Sequence, residues 1–329
     1  MTKLNGWLII DKPLGMGSTQ VVSAVKRALR TGGYAKVKVG HGGTLDPLAT
    51  GVLPIALGEA TKLAGRMLDA SKVYDFTIAF GTQTDGLDAE GKVVAASDVR
   101  PTWAEIEAIL PRFTGPIEQA PPAFSAIKVD GKRAYDRARA GEVVDMQSRA
   151  VTVYELSLRH AELVSASMGP PSPMSADLSS DGAPWTLNQV QGDENVNNIT
   201  LAAHVSKGTY IRSLARDIAL ALGTVGHITM LRRIRAGPFA LGHAISLDKL
   251  ADAAMARNLE AHLLPLEAGL DGIPALLLAP GEARVIRHGG TLSGQSVNDG
   301  DYLAKDGDMP IALVSVCSGS LSVTRGLNL

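Results

Sequence analysis

Asp46 is the only carboxylate in the stretch GHGGTLDPLATGVLPIALG, residues 40–58, and proline follows it directly. A lone acid in a loop has two roles open to it. It can be a turn aspartate that accepts hydrogen bonds from neighbouring backbone N–H groups, or a base or nucleophile presented to a ligand. Three features favour the second role. Pro47 disfavours the helical region for Asp46 and so gives its carboxylate a fixed direction. Gly42 and Gly43 allow backbone to approach a bound molecule closely. The apolar run GVLPIALG can anchor the loop in a core. Other patterns carry less. SAVK (Ser23–Lys26) and SAIK (Ser125–Lys128) match the S-x-x-K of serine acyl-transfer enzymes, but no S-D-N or K-T-G partner occurs. HGGT, from His41, has no accompanying G-x-S-x-G elbow, and neither a P-loop nor G-x-G-x-x-G is present. The histidines show no H-x-x-x-H spacing, so no metal site is expected.

These residues need elements to hold them. GWLIID reads as a short strand closed by Lys12-Pro13. STQVVSAVKRALR predicts an amphipathic helix capped by Ser18 or Thr19, with Val21, Val22, Val25 and Leu29 inward and Lys26, Arg27 and Arg30 outward. KVYDFTIAFG alternates as a strand, with Tyr74, Phe76, Ile78 and Phe80 on one face. TWAEIEAILPRF is a helix with a Thr102/Glu105 capping box. KRAYDRARAG is a basic helical turn ended by Gly141, and VTVYELSLRH and NITLAAHVS are strands. GTYIRSLARDIALALG is a helix stopped by Gly223. Helices and strands mix without a regular β-α repeat, which points to an α+β fold.

The chain has 329 residues, enough for two domains, with 45% hydrophobic and 20% charged residues. A net charge of −1 supplies no global attraction to nucleic acid, so any such binding must come from local patches. Cys317 is the sole cysteine, which excludes an internal disulfide and a multi-cysteine metal site. The apolar run near the N-terminus is too short for a signal peptide or membrane span, and a cytoplasmic protein is expected. Residues 161–198 are rich in Pro, Ser, Gly, Asn and Asp without sustained period, and are expected to form a disordered surface insertion with no catalytic role. From about residue 250, LLLAPGEARVIRHGG and YLAKDGDMPIALVSV suggest a small, separate β-rich unit.

Four motifs in order carry a resemblance: DKPLGM (11–16), GHGGTLDPLATGVLPIALGEATK (40–62), SKGTYIRSLARDIALALG (206–223) and LRRIRAGPF (231–239). With YDFTIAFGTQTDGLDAEG, PPAFSAIKVDGKRAYDRARAG and VTVYEL between them, the chain over residues 5–245 closely resembles the TruB-type tRNA pseudouridine synthases. The resemblance implies the pseudouridine synthase fold with a central mixed or antiparallel sheet over residues 1–249, and a small PUA-like RNA-binding domain over 250–329. It implies conversion of the T-loop uridine at tRNA position 55 to pseudouridine. That isomerisation moves no electrons out and brings no group in, so it calls for neither redox cofactor nor ATP. Asp46 takes the place of the family's essential aspartate. A carboxylate can add to C1′, add to uracil C6, or remove the ribose 2′ proton, and each route needs it ionised. Arg212 matches the arginine that pairs with that aspartate and keeps it charged; without the resemblance it is a surface charge on a helix. Tyr74 matches the aromatic that stacks on the target base, against a competing role in the core. His41 matches the histidine that helps take the target nucleotide out of its stack, and Lys12 the lysine of the D-K-P element.

RNA contacts are expected from Lys36 and Lys38, from Lys132, Arg133, Arg137 and Arg139, and from Arg232, Arg233 and Arg235, each of which is otherwise an ordinary solvated face. The partner implied is the T-arm of tRNA, met by a monomer, with no membrane and no metal. Gly42 and Gly17 depart from a threonine and a serine common in the family, which suggests a more flexible loop, and Val205 replaces a frequent cysteine. A non-catalytic tRNA-binding protein on the same scaffold is the alternative. A serine hydrolase built on S-x-x-K is the remote one.

Overall fold

The structure, a computed structural model, describes residues 4–125, 127–129, 131–142, 146–159 and 194–329. It forms two compact units, one of residues 1–70 with 234–329, the other of residues 71–233. Most of the 161–198 segment lies outside the described residues. Its end does not. Asn195 bridges Thr102, and the Val196 N–H donates to Pro101 O at 2.8 Å. The tail of the expected insertion is therefore tied to the 101–102 turn.

In the first unit, β1 (Gly6–Lys12) leads through a turn into α1 (Ser18–Thr31), and then β2 (Val39–His41) precedes β3 (Ala49–Leu57). β3 pairs antiparallel with β1, from Gly6 opposite Leu57 to Lys12 opposite Gly51, and with β2, where His41 faces Ile55. The run GVLPIALG is buried almost throughout, as its composition requires of a strand covered on both faces. α1 buries Val21, Val22, Val25 and Leu29, the face its periodicity predicts. Its N-cap is Gly17, not Ser18 or Thr19: Gln20 Oε1 accepts from the Gly17 N–H at 2.7 Å. Ser18 is the first helical residue, and its hydroxyl is used elsewhere.

The C-terminal part is β-rich as expected, a five-stranded sheet whose own core includes Leu278, Ile286, Ile311, Val314 and Leu321. Within LLLAPGEARVIRHGG, however, Pro280–Arg287 is a helix, started by proline in its first turn and by Glu282 Oε2 accepting from the Ala279 N–H at 3.0 Å. This part also contributes to a second cluster. Leu303, Leu313 and Leu327 join Trp7, Ile9, Met67 and Phe239 in one cluster, where the Trp7 indole donates to Leu266 O at 3.0 Å. The chain end is pinned as well: Glu59 accepts from the Asn328 N–H at 2.8 Å and meets Lys62 at 2.7 Å.

That pin is pH-sensitive. Burial pushes the Glu59 carboxyl up, but the Lys62 hydrogen bond, the Asn328 N–H and the charges of Lys62 and Lys38 outweigh it, leaving it below its ordinary 4.5. A carboxyl lowered by folding stabilises above its unfolded value and loses that contribution as pH falls through the folded one. Hydrogen-exchange protection of residues 326–329 is therefore expected to drop as pH is taken down from 4.5, and Glu59→Gln should lack the step. An identical pH profile in both proteins would refute it.

The second unit is built on an antiparallel sheet. β4 (Lys72–Phe80), β5 (Gly115–Gln119), β6 (Arg149–Leu158) and β7 (Asn198–Val205) lie in the order β4-β7-β6-β5. β6 and β7, both expected as strands, pair antiparallel with Leu158 opposite Leu201, despite the long segment between them. Thr102 and Glu105 form the expected reciprocal cap on the helix Trp103–Ile109. α2 (Ile211–Ala221) follows, with Gly223 beyond it at φ +73°. β8 (Gly226–Ala236) follows, and the second unit's residues end within it, at Arg233. The α+β class without β-α repetition holds.

Candidate active site

The loop that carries Asp46 is held by its backbone from three directions. Asp46 O accepts from the Ala49 N–H at 3.0 Å, closing a four-residue turn with Pro47 in its second position. The turn leads straight into β3. One residue before the acid, Leu45 is buried and doubly bonded to the Ser18 hydroxyl, its N–H donating at 2.8 Å and its carbonyl accepting at 3.0 Å. One residue after it, Pro47 O accepts from the Gly15 N–H at 2.9 Å and from Lys12 Nζ at 3.2 Å. The Asp46 side chain itself remains half-buried, on a loop whose neighbours are fixed.

Lys12 is fully buried, so it is no solvated charge. Its ammonium donates to Pro13 O at 2.9 Å and Met16 O at 2.5 Å as well as to Pro47 O, joining the D-K-P turn to the Asp46 loop. Carbonyl dipoles offset the desolvation of a buried cation only while the geometry lasts. Lys12→Met is expected to lower stability by about 1–3 kcal/mol by removing the charged donor that three part-buried carbonyls share, read as a shifted urea midpoint at unchanged slope. A midpoint within error of wild type would show that the clamp is not structural.

His41 is half-buried at the end of β2, its Nδ1 shielded from solvent. Gly42 is not a loosening of the loop. It is buried, donates its N–H to Pro54 O at 2.8 Å, and a Cβ there would lie 2.7 Å from Met67 Cβ. The absent side chain lets backbone pack on Met67 and Trp7, whereas Gly43, at φ +132°, supplies the turn.

The other candidates lie in the second unit. On β4 the residues Phe76, Ile78 and Phe80 are buried while Tyr74, on the same face, is half-buried. The apolar face thus opens at Tyr74, which leaves its ring usable as a stacking surface. Arg212, in the first turn of α2, is 6% exposed. Its Nη1 donates to Gly86 O at 2.8 Å and to Asp88 Oδ2 at 3.2 Å, and its Nη2 to Phe124 O at 2.9 Å. The solvated surface charge is excluded. Leu87, between Gly86 and Asp88, holds φ +61°, a costly conformation for leucine that belongs to the turn presenting both acceptors to one guanidinium nitrogen. The start of α2 is fixed further by Gln119, fully buried, whose Oε1 accepts from the Tyr210 N–H at 2.7 Å, and by Arg149 stacked 4.9 Å over the Tyr210 ring. The sequence marks Ser18 only as a helix cap and does not mark Asp88 or Gln119 at all. Each acts through a partner at least 27 positions away, beyond any local pattern.

The expected RNA-contacting cations fare differently. The side chains of Lys132 and Arg133 lie outside the described residues. Arg235 is exposed and Arg232 half-buried, but Arg233 is 1% exposed and does not offer its guanidinium to solvent. Lys36 and Lys38 are exposed. Of the S-x-x-K serines, Ser23 donates to Thr19 O at 3.0 Å on the exposed side of α1, an ordinary helical back-bond.

Comparison with known proteins agrees with this chain-wide pattern. A profile described as the TruB family pseudouridylate synthase N-terminal domain matches residues 26–168, and one for the tRNA pseudouridylate synthase B C-terminal domain matches 212–271. The tRNA pseudouridine synthase B of Novosphingobium aromaticivorans is 58% identical over 327 residues, covering 99% of this chain and 98% of its own length. That of Zymomonas mobilis is 50% identical over 325 residues, covering 99% and 96%. Among solved structures, an H/ACA ribonucleoprotein bound to a substrate RNA containing 2′-deoxyuridine holds a chain matching at TM-score 0.66 and 22% identity, over 98% of this chain and 85% of that one. A Cbf5-Nop10-Gar1 complex matches at TM-score 0.66 and 24% identity, over 98% and 84%. The solved structures establish the shared fold, and the relatives establish the lineage: the chain belongs to the TruB family of tRNA pseudouridine synthases.

Proposed function

We propose that the protein isomerises the T-loop uridine at position 55 of tRNA to pseudouridine, without a cofactor, with Asp46 as the catalytic carboxylate acting on a flipped-out nucleotide. The observation that carries this reading is the anchorage of the loop. Ser18, Gly15 and Lys12 fix the backbone on both sides of Asp46 while its carboxylate stays half-exposed. A turn aspartate needs no such framework; a carboxylate that must meet one atom of a substrate does. In the reaction the N1–C1′ bond breaks, the uracil turns, and C5 bonds to C1′. The C5 hydrogen leaves to solvent as a proton and N1 takes one up. All three routes open to the carboxylate share this outcome.

Tyr74 is the flat surface for the extruded base, His41 supports removal of the nucleotide from its stack, Arg212 belongs to the substrate-binding set, and Lys12, fully buried, serves that set by holding the Asp46 loop. The β-rich C-terminal residues act as a PUA-like RNA-binding module, and the enzyme works as a cytoplasmic monomer on tRNA. Release of tritium to water from tRNA tritiated at uracil C5 tests the proposal. Release stoichiometric with one uridine per tRNA is expected. No release by the wild-type protein under conditions where it binds tRNA would leave the non-catalytic binder in its place.

A further inference from the structure

The first unit holds a cavity of about 960 Å³ between the second half of α1 and the segment 34–40 that enters β2. Its floor is apolar, formed by Leu29, Val37 and Val39, and Tyr34 forms one wall. That tyrosine is not free to swing: its hydroxyl accepts from the Leu259 N–H at 3.0 Å and bonds Glu260 at 3.3 Å. Four exposed cations line the cavity, Lys26 and Arg30 from α1 and Lys36 and Lys38 from the segment. Among the described residues no acidic side chain lines it. Among the described residues none of the four is ion-paired, and the carboxylate that feels the Lys38 charge, Glu59, is engaged by Lys62 at 2.7 Å.

An apolar floor with a fixed aromatic wall and four unneutralised cations is complementary to a ligand that is flat and apolar in one part and multiply anionic in another. A nucleotide in a strand has that chemistry, whereas an acidic peptide has no need of the flat floor. The position selects further. Val39 lines the cavity and His41 is two residues on along β2, so the strand's alternation sets both on one face about 6–7 Å apart. The cavity is thus contiguous with the loop that carries the catalytic candidates.

We propose that this cavity is a second RNA subsite, which takes an unstacked nucleotide of the substrate tRNA with its base on the apolar floor and flanking phosphates on Lys26, Arg30, Lys36 and Lys38. The inference rests on the RNA-modifying function proposed above. Direct binding of unmodified tRNA transcript to the full-length protein, alongside turnover, separates the two. Lys36→Gln/Lys38→Gln is expected to weaken binding and raise KM about tenfold, the effect falling on KM rather than kcat. It should reduce the slope of log affinity on log salt by about 1.4, two contacts at about 0.7 each. Ala35→Trp, which fills the cavity without changing charge, should raise KM by a similar factor and leave the salt slope alone. Arg27→Gln, an exposed charge outside the cavity, should match wild type. If Ala35→Trp binds tRNA as wild type does, the cations act only by diffuse attraction and the subsite is refuted. It is equally refuted if the double variant keeps the wild-type slope. Absence of turnover in wild type with these binding effects intact would overturn the proposed activity and leave the subsite standing.

Discussion

Asp46→Asn is expected to reduce kcat for tritium release by about 10⁴-fold or more while leaving tRNA affinity within a few-fold of wild type. The substitution keeps the size and planarity of the side chain but removes its charge and its basicity. The backbone anchors do not depend on the carboxylate: Leu45 is held by Ser18, Pro47 by Gly15 and Lys12, and the turn closes through Asp46 O. The loop should therefore keep its shape, and the asparagine protein should melt with wild type. Such a result assigns the loss to chemistry and not to collapse of the site. Retention of even a tenth of wild-type turnover would remove Asp46 from every route in which a carboxylate adds to C1′ or C6 or takes the 2′ proton. A loss matched by an equal loss of affinity would instead make Asp46 a binding residue.

The loop was legible in sequence as a candidate because its signals are local: a lone acid, a following proline, an apolar run behind. The same holds for the alternation of β4 and for the inward face of α1, whose periods survive into the fold. What failed to show was whatever depends on tertiary partners. Ser18 has the residue type of an N-cap, yet its hydroxyl serves Leu45 and leaves the cap to Gly17. The burial of Lys12 does not show in sequence, because nothing beside it announces the carbonyls that converge on its ammonium. Arg233 was grouped with Arg232 and Arg235 as one patch. Once residues 226–236 are a strand, neighbours point to opposite faces, and Arg233 joins the inward Leu231. The helix Pro280–Arg287 was hidden by the apolar residues before it, which favour a strand reading until Pro280 and Glu282 are weighed as a helix start.

Arg212→Met should be the most damaging change in the second unit, and it separates a structural from a catalytic contribution. The guanidinium spans Gly86 O, Asp88 and Phe124 O, joining the 86–88 turn and the 124 segment to the start of α2. Removing one member of a buried ion pair costs about 3–5 kcal/mol, because the remaining charge keeps its desolvation without its partner. Lysine should not restore the protein, since a single ammonium cannot reproduce a planar fork that reaches acceptors in two directions. Adding Asp88→Asn to Arg212→Met should recover stability, with a coupling of about 1–3 kcal/mol between the two sites in a double-mutant cycle. If Arg212 only braces the fold, turnover recovers along with stability in the double variant. The expected outcome is that it does not: the melting transition moves back toward wild type while tritium release stays down by 100-fold or more, about the loss of one preorganised charge from an active site. Parallel recovery of both would confine Arg212 to the scaffold.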